Sequence, residues 1–405
     1  MKSLRSFFQS TKARLKNLSL ANTLIIVAGV FLALFLRYAL RSYASDDFTG
    51  LMNGWYQAIK NQGFASFRTG VSNYNPPYLY CLYIISVLFP GLYNLTAVKL
   101  PSILCDFLCA WFVYRTVRLK VPSGPAPMFA LFAVLFAPTV VLNSAFWGQI
   151  DVLFTTGLVA CVYYTLKEKS WLACLWFGIA ISFKFQALFL APFLLVMLFK
   201  RKIQWRALLI VPAVYLLSIL PTLIAGRPLV DLLTIFSGQV DLYTTLTNNV
   251  ANMYAWFPKS FSDQLYLAGL VFGTSVCFLY LVVAYQSRAP LTDGAIVQLV
   301  LLSVLILPFF LPRMHDRYFY PADVLSILYA FFFPDYFFVP LAIVLVSFFS
   351  YEPYLFKNEV VPLSILAIVL LGIIFILART MMLTLYPRAG KREADGPDPK
   401  AEGGV

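Results

Sequence analysis

The charged residues of this chain are few, and they lie in short gaps between long apolar runs. Only 12% of the residues are charged, whereas soluble domains carry about 25%, and the mean hydropathy is +0.78. Lys and Arg occupy alternate gaps: 2–16, 115–120, 167–169, 200–202, 288 and 379–392. Most carboxylates lie in the gaps between them. Because cytoplasmic loops of membrane proteins carry excess Lys and Arg, this alternation predicts a multi-pass membrane protein with a basic cytoplasmic face.

The apolar runs predict an all-α protein with about twelve transmembrane helices in a single membrane domain, residues 20–383. The predicted spans are 20–40, 95–116, 127–144, 150–166, 170–183, 186–199, 207–225, 264–286, 296–312, 318–333, 337–350 and 361–382. Two long outer loops, 41–93 and 226–262, follow the first and seventh spans. Residues 78–89 are apolar but short for a span. Placing them as a juxtamembrane helix in the first outer loop keeps the cations of residues 115–120 on the cytoplasmic side.

The two ends of the chain differ from the membrane domain. Residues 1–19 mix cations with apolar side chains, which predicts an amphipathic cytoplasmic segment on the membrane surface. The first apolar run approaches full bilayer length, and Ser42-Tyr43-Ala44 resembles a signal cleavage site only weakly. We therefore favour an uncleaved span over a signal peptide. Residues 384–405 are rich in Pro, Gly and charge, and we expect a disordered cytoplasmic tail.

Composition also bounds the partners. The formal net charge of +13 is the sum of cytoplasmic loop charges, so we do not expect nucleic-acid binding. The six Cys lie in or beside apolar runs without metal-ligand spacing, and the chain has one His. No Gly-rich nucleotide loop is present. The sequence therefore predicts no metal site and no nucleotide cofactor.

The first polar motif, Ser45-Asp46-Asp47-Phe48, directly follows the first predicted span. A carboxylate at the membrane surface can accept a proton from a hydroxyl nucleophile, so Asp47 is a candidate general base and Asp46 the alternative. The competing interpretation is that these residues only cap a helix in the following stretch.

Two further polar motifs lie on the predicted outer face. In Asn73-Tyr74-Asn75-Pro76-Pro77-Tyr78 the prolines predict a rigid turn, beside which Tyr74 and Asn75 could line a sugar site. The turn at residues 143–151 brings Trp147, Gln149 and Asp151 together. A Trp alone would be ordinary at a membrane interface, but Gln149 and Asp151 beside it favour sugar or acceptor binding.

Two motifs supply outer cations. Lys184 stands against the charge rule on a predicted outer turn, and we interpret it as holding an anion in preference to snorkelling. Arg313, His315 and Arg317 lie at the outer end of the ninth span. The planar fork of Arg suits phosphate oxygens, and the alternative is a loop salt-bridged through Asp316. Together the cations and carboxylates favour a lipid phosphate as the bound anion.

In their order and placement these motifs resemble those of GT-C superfamily integral-membrane glycosyltransferases. The resemblance covers about residues 20–330 and is strongest to bacterial mannosyltransferase-like members and to dolichyl-phosphate-glucose glucosyltransferases. It rests on Asp47-Phe48, Asn75-Pro76-Pro77, Trp147-Gly148-Gln149-Ile150-Asp151, Lys184-Phe185-Gln186 and Met314-His315-Asp316-Arg317-Tyr318. Family members often carry Glu where this chain has Asp316. The last two spans add no functional signal.

The resemblance implies an inverting enzyme that moves a hexose, mannose or glucose, from a polyprenyl-phosphate donor to an acceptor hydroxyl on the non-cytoplasmic face. Asp47 would deprotonate a glycan or lipid-linked acceptor. The leaving phosphate would be stabilised by Lys184 together with Arg313 or Arg317, and His315 would lie beside them. We expect no required cofactor; some relatives use a divalent metal, but no ligand set supports one here. A bacterial inner membrane is favoured over the endoplasmic reticulum. The rival interpretation is a carrier or flippase for a lipid-linked sugar, which needs the basic pocket but not the outer carboxylate.

Overall fold

The computed structural model describes residues 20–236 and 244–387, and these residues are almost entirely helical. In chain order the helices are α1 (Leu20–Leu40), α2 (Asn53–Gln62), α3 (Pro76–Leu88), α4 (Asn94–Lys120), α5 (Ala126–Phe136), α6 (Pro138–Val141), α7 (Asp151–Leu166), α8 (Ser170–Phe183), α9 (Ala191–Phe199), α10 (Ile210–Ile224), α11 (Leu229–Leu233), α12 (Ser262–Gln286), α13 (Asp293–Phe310), α14 (Tyr320–Phe332), α15 (Phe338–Leu355) and α16 (Leu363–Leu385). The predicted surface segment 1–19 and nearly all of the predicted tail lie outside the described residues.

Seven helical segments of the described chain are long and apolar enough to cross a membrane. They are Thr23–Leu40, Asn94–Lys120, Trp205–Ile224, Ser262–Gln286, Asp293–Phe310, Pro334–Leu355 and Leu363–Leu385. The pair Ala126–Phe136 and Pro138–Trp147, bent by 49° at its break, makes an eighth if it is one span. The chain is therefore a multi-pass membrane protein, as predicted. The count of twelve stays a prediction, since α7, α8, α14 and the segment Phe185–Phe199 are shorter than a bilayer requires.

A helix of 13 residues, α3, lies where a juxtamembrane helix is predicted near residues 78–89; its juxtamembrane position stays a prediction. Pro76 and Pro77 occupy its first turn, where a missing backbone N–H costs nothing. Asn75 before them is extended, as a residue preceding proline prefers. At 1.5 Å per residue α3 is about 20 Å long, less than the roughly 30 Å of a bilayer core.

Helix α7 occupies the centre of the packing and fixes the position of Asp151 at its first turn. Nearly all of its residues are buried, and it packs against α4, α8 and α14. The approach to α8 is close, because a Cβ at Gly157 would lie 2.8 Å from the Cβ of Ala180 and from the carbonyl oxygen of Trp176. An apolar helix without a polar face is typical of such a buried position.

The second long outer loop is attached to the Arg313–Arg317 motif. Strands β1 (Thr247–Asn248) and β2 (Met314–His315) pair in parallel, and the backbone N–H of Arg313 donates to the carbonyl of Leu246 at 2.7 Å. Arg313 adopts a left-handed backbone with φ of 60°, which is uncommon for a residue with a side chain. This pairing holds the Arg313 and His315 side chains in a fixed place.

Candidate active site

Asp47 is held by donors from three distant parts of the chain. Its Oδ2 accepts hydrogen bonds from Trp147 Nε1 at 2.8 Å, Gln149 Nε2 at 2.5 Å and Arg317 Nη1 at 3.2 Å. The Tyr354 ring stacks on Trp147 with centroids 4.9 Å apart, and so lies close to this carboxylate. The Asp47 side chain keeps 22% of its surface exposed. It is therefore a fixed carboxylate that a substrate can still reach.

The turn that carries Trp147 and Gln149 is built by the backbone around it. A π-helical turn, Leu142–Trp147, ends at Gly148, whose φ of 87° suits glycine. Ser45 Oγ donates to the carbonyl of Trp147 at 2.8 Å, and Ser102 Oγ donates to the carbonyl of Gln149 at 2.7 Å. Such π-helical turns occur frequently at functional sites.

Lys99, which belongs to none of the polar motifs of the sequence, joins the two segments that meet at Asp47. Its fully buried Nζ donates to the carbonyls of Arg41 at 3.0 Å, Tyr43 at 2.6 Å and Phe146 at 2.8 Å. Its stem packs on Gly148, where a Cβ would come within 3.3 Å of Lys99 Cγ. A lysine inside an apolar span is itself a signal of function or structure that could have been read from the sequence.

Lys184 is paired with a carboxylate of the protein. Its Nζ lies 2.5 Å from Asp151 Oδ1, and the two side chains are only 9% and 1% exposed. Asn143 Nδ2 donates to the other oxygen of Asp151 at 2.9 Å. Lys184 therefore pairs with Asp151, a carboxylate of the protein itself, and its predicted role as a ligand of the donor phosphate stays a prediction.

Arg317 stands among three carboxylates. Its nitrogens lie 3.2 Å from Asp47, 3.7 Å from Asp316 and 3.9 Å from Asp151, and the guanidinium carbon lies 4.7 Å from the Trp147 ring centroid. The predicted alternative, a loop ion pair with Asp316, is thus only one of several contacts that Arg317 makes.

The neighbouring titratable groups are strongly perturbed by burial. Burial raises the pKa of Asp316 to about 7, against the opposing charge of Arg317. Burial, together with the charges of Arg317 and Lys184, lowers the pKa of His315 to about 3. His315 is therefore neutral at pH 7, and at that pH it can donate or accept a hydrogen bond without adding positive charge.

A cavity of about 300 Å³ lies beside these groups. Its lining is mostly apolar and comes from the segment 185–189, from α12 and from residues 311–315, while Gln186, Arg313, His315 and Tyr318 supply its polar atoms. The Arg313 guanidinium lies 3.9 Å from the Tyr266 ring centroid, and its buried Nε has no hydrogen-bond partner among the described residues. Arg313 can therefore offer a donor to an anion in this cavity.

Most residues predicted for the site meet in one place, and two do not. The residues brought together around Asp47 are Tyr74, Trp147, Gln149, Asp151, Lys184 and Arg317, with Arg313 and His315 at the cavity. Asn75 instead donates to the carbonyl of Ile181 at 3.2 Å, inside the helix packing. Asp46 points away and pairs with Lys357 at 2.6 Å on the surface.

The residues predicted to bind sugar or acceptor mainly support the carboxylate. Trp147, Gln149 and Asp151 are at most 1% exposed, and the Tyr74 hydroxyl donates to Gln149 Oε1 at 3.0 Å. Trp147 and Gln149 donate to Asp47, Asp151 lies 3.9 Å from Arg317, and Tyr74 acts through Gln149. Across residues 20–236 and 244–387, no three His, Cys, Asp or Glu side chains are grouped to hold a metal ion.

The helices define a multi-pass membrane protein, and the site is a buried cluster of charged groups beside an apolar cavity. The model of glycosyltransferase family 87 matches residues 73–308, more than half of the 405-residue chain, and the chain belongs to this family. The protein is a glycosyltransferase, which confirms the enzyme class predicted from the motifs. A comparison with curated proteins finds no match. The matched region includes Tyr74, the turn at 143–151 and Lys184, while Asp47 and Arg317 lie outside it.

Proposed function

We propose that the protein is an inverting glycosyltransferase that moves a hexose, mannose or glucose, from a polyprenyl phosphate to an acceptor hydroxyl. The observation that carries the proposal is the position of Asp47 relative to the apolar cavity. Arg317, which binds Asp47, lies between His315 and Tyr318, and both of these line the cavity. A lipid-linked donor in the cavity would therefore bring its headgroup to the carboxylate.

The cavity suits such a donor in two respects. Its walls are mostly apolar, as a prenyl chain requires, and they include Phe185, Phe189 and Leu270. Its cation, Arg313, has a free buried donor for the phosphate, and charge-assisted hydrogen bonds of this kind are the strong ones. Lys184 would contribute indirectly, because its charge is taken up by Asp151.

In the proposed reaction the acceptor hydroxyl gives its proton to Asp47 while its oxygen bonds to the anomeric carbon of the hexose. The bond from that carbon to the phosphate oxygen breaks, and its electron pair leaves with the polyprenyl phosphate. The phosphate diester monoanion thereby becomes a monoester dianion. Arg313 and Arg317 would stabilise the added charge. Attack opposite the leaving group inverts the anomeric carbon.

The charge pattern supports a proposal for the side of the membrane. Asp47 and Arg317 both lie in gaps of the acidic set, opposite the Lys- and Arg-rich gaps that are typical of the cytoplasm. The reaction is therefore proposed for the non-cytoplasmic face, where lipid-linked sugars replace cytosolic nucleotide sugars. A bacterial inner membrane is the proposed location.

The test uses the purified full chain in lipid nanodiscs with synthetic polyprenyl-phosphate mannose and glucose. We expect transfer from one of them, with the product anomer, read by NMR, inverted relative to the donor. Asp47→Asn should lower kcat about 10²- to 10⁴-fold while donor binding persists. Asp46→Asn should lower kcat far less, because Asp46 pairs with Lys357 and not with the donors around Asp47. Asp293→Asn is the matched control, since Asp293 is an exposed carboxylate at the start of α13, the end of that helix remote from Arg313.

Three outcomes would contradict the proposal. Retention of the anomeric configuration would exclude the single displacement. Full transfer activity in Asp47→Asn would exclude Asp47 as the general base. Movement of the lipid-linked sugar between leaflets by wild type and Asp47→Asn alike, without transfer, would support a carrier instead.

A further inference from the structure

Helix α15 ends beside Asp47 and contributes an aromatic ring that the sequence motifs did not include. The ring of Tyr354 stacks on that of Trp147, with centroids 4.9 Å apart and planes within 19°. Trp147 in turn donates to Asp47 Oδ2 at 2.8 Å, so Tyr354 lies one side chain away from the base. Tyr354 does not line the apolar cavity.

An exposed ion pair covers this ring. Lys357 Nζ lies 4.9 Å from the Tyr354 ring centroid and 2.6 Å from Asp46 Oδ2, and the two charged side chains are 64% and 67% exposed. A pair this exposed contributes about 0–1 kcal/mol. It can therefore open at little cost and leave an ammonium and a carboxylate at the rim of the ring.

The aromatic surface continues away from Asp47. Phe356 is about half exposed and lies 5.7 Å, centroid to centroid, from Phe146, which in turn stacks on Tyr43 at 3.8 Å. The segment from Tyr354 to Lys357 thus presents flat apolar rings with charged groups at their edge, in water contact and next to the base.

We propose that Tyr354, Lys357 and Asp46 form the acceptor site, and that the acceptor group bound there is a sugar ring. This inference rests on the proposed function. A pyranose has a face of C–H groups that fits an aromatic ring and hydroxyls that bind ammonium and carboxylate groups. An apolar alcohol would leave Lys357 and Asp46 unused. The site also gives Asp46 a role distinct from that of Asp47, and it gives α15 a part in recognition.

The inference has a kinetic test with defined probes. Methyl α-D-mannopyranoside, methyl α-D-glucopyranoside and n-octanol serve as acceptors with the donor that the wild type uses. We expect transfer to a glycoside in preference to octanol. Tyr354→Leu and Lys357→Met should each raise the glycoside KM about three- to tenfold. Donor KM should stay unchanged in both variants. Slow donor hydrolysis by water should stay unchanged in Lys357→Met, which also shows that this variant folds.

Lys202→Met is the matched control, because Lys202 forms an exposed pair with Glu168 far along the chain from this segment. It should change neither KM. Unchanged glycoside KM in both Tyr354→Leu and Lys357→Met would overturn the inference. So would transfer to octanol alone, or donor hydrolysis with transfer to no probe. Failure of the wild type to cleave any donor would instead refute the proposed function.

Discussion

Replacing Lys184 with Met tests whether its charge serves the protein or the donor. Lys184 and Asp151 form a buried pair at 2.5 Å, and Asp151 is 1% exposed. Removing the ammonium leaves Asp151 with Asn143 and with Arg317 Nε at 3.9 Å. Breaking a buried pair by removing one partner costs about 3–5 kcal/mol, and we expect Lys184→Met to lose that much stability.

A double variant separates the lost pair from the lost volume. Lys184→Met with Asp151→Asn removes both charges and nearly preserves the shapes of both side chains, so no unpaired charge stays buried. We expect it to be less destabilised than Lys184→Met alone. The free energy of unfolding is measured by SDS titration in mixed micelles, followed by Trp fluorescence.

A different result would contradict this expectation. In it, Lys184→Met lowers the free energy of unfolding by less than about 1 kcal/mol, the value of an exposed pair, and raises the donor KM. That result would make Lys184 a direct phosphate ligand. Lys202→Met, which breaks an exposed pair with Glu168 at 2.9 Å, supplies the reference for a surface lysine.

Three further variants probe the rest of the site. Arg313→Met should raise the donor KM about 10- to 100-fold without changing the acceptor KM, through loss of one charged hydrogen bond. Lys99→Met should lower kcat about 10²-fold by misplacing Asp47, and it should leave kcat unchanged in an Asp47→Asn background. Burial raises the pKa of Asp316 to about 7. Between about pH 4 and pH 7, Asp316 therefore keeps its proton in the folded protein but has lost it in the unfolded chain. The free energy of unfolding accordingly falls as pH rises through this window. The stability of Asp316→Asn relative to wild type should therefore increase across that window, as SDS titration at each pH would show.

The sequence predicted the class of the protein because charge and hydropathy are local properties. Each basic gap predicts its own side of the membrane without reference to any partner. The same pattern assigned Asp47 and Arg317 to one face, which is why residues 270 positions apart could be expected together. The order of the motifs along the chain, which resembles that of a known family, then indicated the enzyme class.

The sequence could not name the partner of each charge. Lys184 was expected to hold an anion, but a carboxylate 33 residues earlier satisfies that requirement as well as a phosphate does. Lys99 stands out as a cation inside an apolar span, but its partners are backbone carbonyls, which every residue possesses, so no side-chain pattern names them. Tyr354 lies just beyond the predicted span 337–350 and in none of the polar motifs, and only packing brings it to Trp147.

The number of spans was the least predictable part of the fold. Helix α7 has 16 residues, short for a bilayer, yet it is buried on nearly all sides. A helix enclosed by others need not match the bilayer thickness, since its backbone groups are satisfied internally and its ends meet protein. Hydropathy therefore marks such segments as apolar without fixing whether they cross.

The arrangement around Arg317 links the two halves of the proposed reaction. In the resting site its charge is shared among Asp47, Asp151 and Asp316. When Asp47 takes the acceptor proton, Arg317 loses one anionic partner at the moment when the leaving phosphate gains a negative charge. The guanidinium then interacts more strongly with the phosphate, with little movement, because its stacking on Trp147 and its other two carboxylates hold it in place. The carboxylates that surround Arg317 thus make its stabilisation of the leaving group dependent on proton transfer, and charge is stabilised where it develops in the transition state.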